Sequence, residues 1–498
     1  MRFPRRSGIL LHPTSLPGPH GSGDLGREAH RFVDWLAEAG QSLWQILPLG
    51  GIGPGNSPYM SSSAFAGNVL LIDLEELHRN GWLDEADLAP VSGLADARID
   101  FAAMVPYRMA RLARAAARFA AVAGPDDRAA FADFQAAHAG WLDDHALFMT
   151  LAEHFAWRDW CDWPAPLARR DVAALAEARA RHAPRIAFWT FCQWCFFRQW
   201  GRLRTHAHAR GVHIVGDAPI FIAHQSAEVW AQPGLFELDA AGRPTVVAGV
   251  PPDAFSATGQ RWGNPLYRWS SHAADGYAWW IERLRRTFEM VDLVRIDHFR
   301  GFAACWEIPA GEPTAVRGRW VPGPGAALFQ AIGEALGPLP IIAEDLGVIT
   351  PDVEALRLAF GFPGMRILQF AWGDSAFAER RFLPHRYTPD SVVYTGTHDN
   401  DTTLGWWAGA DEATRRHLRD YLATDGHTVH WDLVHAASAS VADTAIHPMQ
   451  DVLGLDGGHR MNLPGTGEGN WGWRFGWAQV GSDVSMRLRC WAELHERR

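Results

Sequence analysis

Short runs of aliphatic and β-branched residues recur along the chain, and most are followed by stretches with apolar residues at helical spacing. The runs are 8–11 (GILL), 43–49 (LWQILPL), 212–222 (VHIVGDAPIFI), 291–298 (VDLVRIDH), 340–345 (PIIAED), 365–372 (MRILQFAW), 391–399 (SVVYTGTHD) and a segment beginning at Thr444 (TAIHPMQDVLGL). Between them, 27–39 (REAHRFVDWLAEA) repeats apolar residues at helical spacing and stops at Gly40, a good helix terminator. The stretch 351–360 begins with Pro351 just after Thr350, an N-cap followed by proline at the first helical position, and 410–423 is a further helix. Strand alternating with helix predicts a parallel sheet, and eight such strands predict a closed (β/α)8 TIM barrel. A doubly wound open sheet is the competing architecture, but no GxGxxG follows the first strand.

Two interruptions are too long for ordinary barrel loops. One runs from about 50 to 186 and contains an Ala/Arg-rich helical stretch near 109–123; the other runs from 223 to about 271. We expect them to fold as subdomains or lids on a single catalytic unit covering 1–498. A barrel with insertions reaches this length as one unit, and 48% hydrophobic residues suffice for a large core. There is no internal repeat, no low-complexity linker and no apolar run of the ~18 residues that span a bilayer. The basic and apolar start turns polar and proline-rich too early for a secretory signal. The expected location is the cytoplasm, without a membrane partner.

The formal charge of −10 argues against non-specific nucleic-acid binding, which needs a basic face. Every cationic residue is arginine. Without lysine, the chain can be neither a pyridoxal-phosphate enzyme, a Schiff-base aldolase nor a Walker-type phosphate binder. Five scattered cysteines, Cys161, Cys192, Cys195, Cys305 and Cys490, do not make a disulfide framework. Cys192 and Cys195 form a CxxC, but no second pair completes a metal set, and helical spacing puts both on one side of an aromatic-rich helix. His206 and His208 form an HxH that a helix would splay about 200° apart, as surface residues. The 25 tryptophans serve as core filler or as stacking platforms for sugar faces, and composition does not choose between these.

Barrel chemistry sits at the C-terminal ends of the strands. The fourth run ends in Arg295 and Asp297, two apart and so on one side of a strand. A guanidinium beside an Asp favours its charged form, as a nucleophilic carboxylate requires. Glu344 follows an apolar run that would raise its pKa and let it work as acid and base; Asp345 should point to the other face. His398 and Asp399 end the seventh run, where Asp399 is placed to stabilise an oxocarbenium-like transition state. Any one of these is also explained by an interior ion pair, a solvated strand end or a turn. A nucleophile, an acid/base and a stabiliser together meet the needs of double-displacement glycosyl transfer. A carboxylate metal site is the chemical competitor, but Arg295 would sit badly in a cation cage.

RIDHFRG, AEDLG and TGTHDNDT, in this order, resemble the amylomaltases, the 4-α-glucanotransferase or disproportionating-enzyme family. The resemblance covers almost the whole chain. It includes LLHPTSLPGPHGSGDLG at 10–26, WQILPLG at 44–50, NSPYMSSSAFAGN at 56–68, GDAPIFIAHQSAEVW, GVPPDAFSATGQRWGNPLYRW at 249–269 and RMNLPGTGEGNW at 460–471. It implies a retaining mechanism with Asp297 as nucleophile, Glu344 as acid/base and Asp399 as transition-state stabiliser. It implies that Ser57, Tyr59, Asp217, Arg295 and His398 bind the sugar at the cleavage point, that Trp262 and its loop cover the donor, and that 464–470 lies near the same cleft. No asparagine stands at position 468 of that loop, which is Glu468, so no sugar contact is assigned there. The implied donors and acceptors are α-1,4-glucans, with no metal or organic cofactor. Where some relatives carry tyrosines at a second glucan groove, this chain has Pro54 and Phe101, which implies weak large-ring formation. A monomer or weak oligomer is expected. An α-amylase-like hydrolase with the same acids and a non-catalytic glucan-binding protein are the rival readings. A hydrolase releases reducing ends, and a binding protein need not keep all three acids.

Overall fold

All eight apolar runs contribute to one closed sheet in the computed structural model, which describes residues 4–89, 94, 97–253, 256–373 and 379–498. In chain order the strands are β1 (Arg6–Leu10), β2 (Leu43–Gln45), β3 (His213–Pro219), β4 (Val246–Val250), β5 (Gln260–Pro265), β6 (Leu293–Asp297), β7 (Ala304–Pro309), β8 (Arg319–Pro322), β9 (Ile341–Ala343), β10 (Gly364–Ile367), β11 (Ser391–Tyr394) and β12 (Thr444–Pro448). The barrel runs β1-β2-β3-β6-β9-β10-β11-β12 and back to β1, and every pairing in it is parallel. Its strands are nearly continuous in buried apolar residues because they are covered on both faces. Gly8 is required where β1 meets β2: a Cβ there would sit 2.4 Å from the Leu43 carbonyl oxygen. Inside the barrel, the buried Tyr394 hydroxyl donates to Gln45 Oε1 at 2.8 Å, so this interior polar pair is satisfied.

The strands are shorter than the apolar runs. The seventh run stops being strand at Tyr394, so Thr397–Asp399 belong to a loop at the barrel mouth; the eighth turns into a short helix at Met449. The helix Arg27–Glu38 buries Phe32, Val33, Trp35 and Leu36 against the barrel, and the chain leaves it through Gly40 at φ 68°. The predicted helix at 410–423 is Glu412–Leu422, which Asp411 caps by accepting from the Thr414 amide; a shorter helix, Thr403–Gly409, precedes it.

The stretch after β2 is helical, with the long helices Phe101–Val122 and Pro125–His154. The 27-residue helix Ala183–Ala209 then returns the chain to β3. Cys192 and Cys195 are fully buried in this last helix, where burial pushes both thiols well up, so neither is a ready thiolate. His206 pairs with Asp34 at 3.0 Å and His208 with Asp292 at 2.9 Å, on different partners as the helical spacing requires.

Sequence periodicity leaves β4, β5, β7 and β8 unassigned. They form an antiparallel sheet ordered β5-β4-β7-β8 beside the barrel mouth. Two of its strands come from the stretch after β3 and two from the chain after β6, so the sheet is not enclosed by 223–271. These strands are short and rich in Gly, Trp, Arg and Pro, and their alternation is too weak to read without the partner.

Candidate active site

Four barrel strands deliver charged groups to one mouth. Asp217 on β3 lies opposite Arg295 on β6 in the parallel register. Arg295 Nη1 donates to both Asp217 oxygens at 2.9 and 2.8 Å, and its Nη2 donates to Asp297 Oδ1 at 2.8 Å. Burial opposes the Arg295 charge, but Asp217 and Asp297 overcome it and hold the guanidinium pKa well above its ordinary value. Burial likewise pushes the Asp217 carboxyl up, and Arg295 pulls it back. Asp297 ends β6 with its side chain 30% exposed, whereas that of Arg295 is 3% exposed: the arginine is interior and the carboxylate faces the opening.

Tyr59 extends this network. Its hydroxyl donates to Asp217 Oδ2 at 2.8 Å, which leaves the phenolic oxygen to accept from His398 Nε2 at 2.8 Å. The rings of Tyr59 and His398 stack at 5.2 Å and 15°. Nε2 of His398 also lies 3.3 Å from Asp399 Oδ1, so one N–H is shared between phenol and carboxylate. Ser57 stands beside Tyr59: its hydroxyl oxygen accepts from the Tyr59 amide at 3.2 Å and caps the turn Pro58–Met60 that presents the tyrosine.

Glu344 is the first residue past β9. Oε2 accepts from the His298 amide at 2.7 Å and Oε1 from the Leu346 amide at 2.8 Å. Those two N–H groups favour the anion, yet burial, followed by the charge of Asp297, pushes the Glu344 pKa up to about 8. His298 can offer its amide because it takes the left-handed conformation, φ 53°, immediately after Asp297. Asp345 points the other way: it is buried, accepts from the Met365 amide at 2.6 Å and lies 3.4 Å from Arg366.

Trp262, on β5, brings the antiparallel sheet to this mouth. Its ring meets the His298 ring edge-on at 4.8 Å. In the neighbouring loop, Ala254 and Phe255 lie outside the described residues. Pro54 is exposed at the start of the turn Pro54–Asn56, and Phe101 opens its helix against the small cluster of Leu70, Ile99 and Met104.

Three participants are not singled out by sequence alone. Asn462 Nδ2 donates to Asp399 Oδ1 at 2.6 Å, Arg460 Nη2 donates to the Asp399 carbonyl at 2.9 Å, and the Trp471 ring sits 5.8 Å from Tyr59 and 6.0 Å from His398. All three belong to the motif RMNLPGTGEGNW, but only the chain's return to the mouth shows what they touch. Position 468, in the same motif, is occupied by glutamate: Glu468 is exposed at the outer part of the loop, and the asparagine that this loop brings to the acids is Asn462. Among the described residues, His208 with His213 and Asp292, and Asp159 with Cys161 and Asp162, are close enough to hold a metal ion. Neither group includes Asp297, Glu344 or Asp399, and in the first Arg204 already bonds Asp292 at 2.7 Å.

A parallel barrel with an arginine-paired aspartate and a buried, proton-holding glutamate at its mouth is an enzyme scaffold of the acid–base, nucleophilic class. The model of the 4-alpha-glucanotransferase family matches residues 11–479. The 4-alpha-glucanotransferase of Thermus thermophilus is 52% identical over the full length of both chains, and that of a Synechocystis strain is 47% identical over 99% of this chain and 98% of its own. The solved amylomaltase of Streptococcus agalactiae, in complex with acarbose, superposes with a TM-score of 0.96 at 38% identity and 99% coverage of both chains. That of Corynebacterium glutamicum, 19% identical, shares the fold with a TM-score of 0.80 over 98% of this chain and 75% of its own. The chain belongs to the 4-alpha-glucanotransferase family. Its activity is the transfer of α-glucan segments.

Proposed function

We propose that the chain moves α-1,4-glucan segments from a maltooligosaccharide or starch donor to the 4-hydroxyl of an acceptor glucan by retaining double displacement. Asp297 attacks the anomeric carbon while Glu344 gives its proton to the departing glycosidic oxygen. A glycosyl ester on Asp297 results, and the shortened glucan leaves with a free 4-hydroxyl. Glu344, now a carboxylate, takes the proton of the acceptor 4-hydroxyl, whose oxygen displaces Asp297 and restores both groups. Asp399 stabilises the positive charge that develops on the sugar, and Tyr59, Asp217, Arg295 and His398 hold the ring. Trp262 covers the donor. The observation that carries this reading is the pairing of Asp297, held by buried Arg295, with a Glu344 whose pKa lies at about 8.

No organic cofactor or metal takes part in these steps. We also propose that the chain works as one catalytic unit over 1–498, with 50–186 and 223–271 as its principal insertions, in the cytoplasm and as a monomer or weak oligomer. No helix among the described residues is long and apolar enough to cross a membrane.

Maltotriose tests the reaction. The expected products are glucose and a ladder of longer maltooligosaccharides, with almost no net gain in reducing ends. Reducing ends that rise in step with substrate loss would make the chain a hydrolase.

A further inference from the structure

We propose that Asn462 is a positioning residue that orients the Asp399 carboxylate, delivered by a loop that closes on itself and docks by its stem onto the catalytic mouth. The inference rests on the proposed role of Asp399. Asp399 lies five residues beyond the end of β11, in a loop, with its side chain 43% exposed. A carboxylate so placed has no strand to fix it. Its Oδ1 accepts from Asn462 Nδ2 at 2.6 Å, shorter than its 3.3 Å approach to His398 Nε2. Its Oδ2 has no protein partner among the described residues, so the amide fixes one oxygen and leaves the other for a sugar hydroxyl.

The backbone around Asn462 is held as firmly. The Asn462 amide donates to the His398 carbonyl at 3.1 Å. Arg460 donates to the Asn462 carbonyl through Nε and to the Asp399 carbonyl through Nη2, each at 2.9 Å, so one guanidinium spans both residues. The loop is closed where the Trp471 amide donates to the Met461 carbonyl at 2.8 Å, and the Leu463 amide to Asn470 Oδ1 at 2.9 Å. Outside the stem, 463–469 is exposed, and Arg98 Nη2 donates to the Gly469 carbonyl at 2.9 Å. The loop therefore joins an open surface to the acid that lies farthest from any strand end. A primary amide suits this post: it donates at every working pH, and a hydrogen bond to the charged form of a carboxylate favours that form.

The test compares Asn462→Ala and Asn462→Asp with Asp399→Asn, measuring kcat, KM and the pH profile of kcat/KM on maltotriose. Asn462→Ala is expected to lower kcat about tenfold or more, as loss of one preorganised donor does, and to leave KM within about twofold. Asn462→Asp keeps the shape and sets a second carboxylate against Asp399. The two cannot both ionise freely, so the acidic limb of kcat/KM should move up by about one pH unit or more. Because Asn462→Asp is isosteric, it decides the matter if the alanine variant does not fold. An inactive Asp399→Asn together with Asn462 variants of wild-type kcat and pH profile would overturn the positioning role alone. An effect on KM only, without movement of the limb, overturns it too, since that marks a loop contact with substrate. An active Asp399→Asn overturns the role given to Asp399, and this inference with it.

Discussion

At Asp297 the geometry leaves little tolerance. Its Oδ1 is tied to Arg295, itself tied by two bonds to Asp217, so its carboxylate is aimed by a buried chain of charge rather than by its own rotamer preference. Asp297→Asn keeps the shape but replaces the proposed nucleophile by a neutral amide. Transfer should fall by roughly 10⁴-fold or more, as when the nucleophile is removed from other covalent enzymes, with the circular dichroism spectrum unchanged. Near-normal turnover, with deamidation excluded by mass spectrometry, would remove Asp297 from the chemistry. Glu344 carries a pH signature. In its proposed role as acid it must hold its proton, so kcat/KM should decline as pH rises through about 8. Its folded pKa is raised from 4.5, so ionisation works against the fold, and the loss of stability accumulates as pH rises from about 4.5 to about 8. Glu344→Gln should therefore abolish transfer, and its melting temperature relative to that of the unaltered chain should be higher at pH 8 than at pH 4.5, whatever the fixed cost of setting an NH2 against one of the two backbone donors. A difference equal at both pH values would show that Glu344 is not buried as an acid.

Elements from distant parts of the chain hold the site through single buried groups. Glu228, on the short helix Ala227–Ala231 after β3, accepts from Ser63 Oγ at 2.5 Å and from the Ala64 amide at 3.1 Å. It thereby secures the segment that follows Tyr59. Burial pushes its carboxyl up to about 7 despite those bonds. Glu228→Ala would strand a buried hydroxyl and an amide, at a cost of about 1–3 kcal/mol. A lower melting temperature and a raised KM for maltotriose are expected, because Tyr59 loses its footing; thermal melts and steady-state kinetics read both. The antiparallel sheet acts on the same mouth from the other side, through Trp262 over His298. Sequence periodicity found every barrel strand but none of the four in this sheet. Barrel strands are buried on both faces and stand out as continuous apolar runs, whereas these have half-exposed faces with Gly, Pro and Arg in them.

At the scale of the whole molecule, the chain's last turns fasten the start of β1 to the residue before β12. Arg497 is fully buried beside β1 and β12. Its Nε donates to the Ser438 carbonyl at 2.6 Å, and its Nη2 to those of Ser440 and Ala442 at 2.9 and 2.8 Å; Nη1 reaches Arg6 and Asp443 at 3.3 and 3.2 Å. One guanidinium thus satisfies carbonyls at the end of the helix Val429–Ala439 and on the loop into β12. Arg497→Ala should cost about 3 kcal/mol, since several buried acceptors lose a charged donor at once. Chemical denaturation would show it, with kcat unchanged at temperatures where the variant is folded. Wild-type stability would mean that water replaces the guanidinium at no cost.

The amino-acid order by itself determined the barrel, because eight doubly buried strands must be apolar throughout and must be separated by helices. It also determined the same-side placement of Arg295 and Asp297, since a strand repeats every two residues. Asp217 was legible only through family resemblance, as nothing local marks it. Tertiary structure alone decided the rest. It showed that Ser57 caps the turn that presents Tyr59, that the antiparallel sheet draws strands from two separate stretches, and that Asn462 reaches Asp399 across 63 positions of chain. Periodicity records which face of an element is buried. It carries no record of which loop end meets which, because that meeting is set by barrel closure and by the packing of segments far apart in the chain.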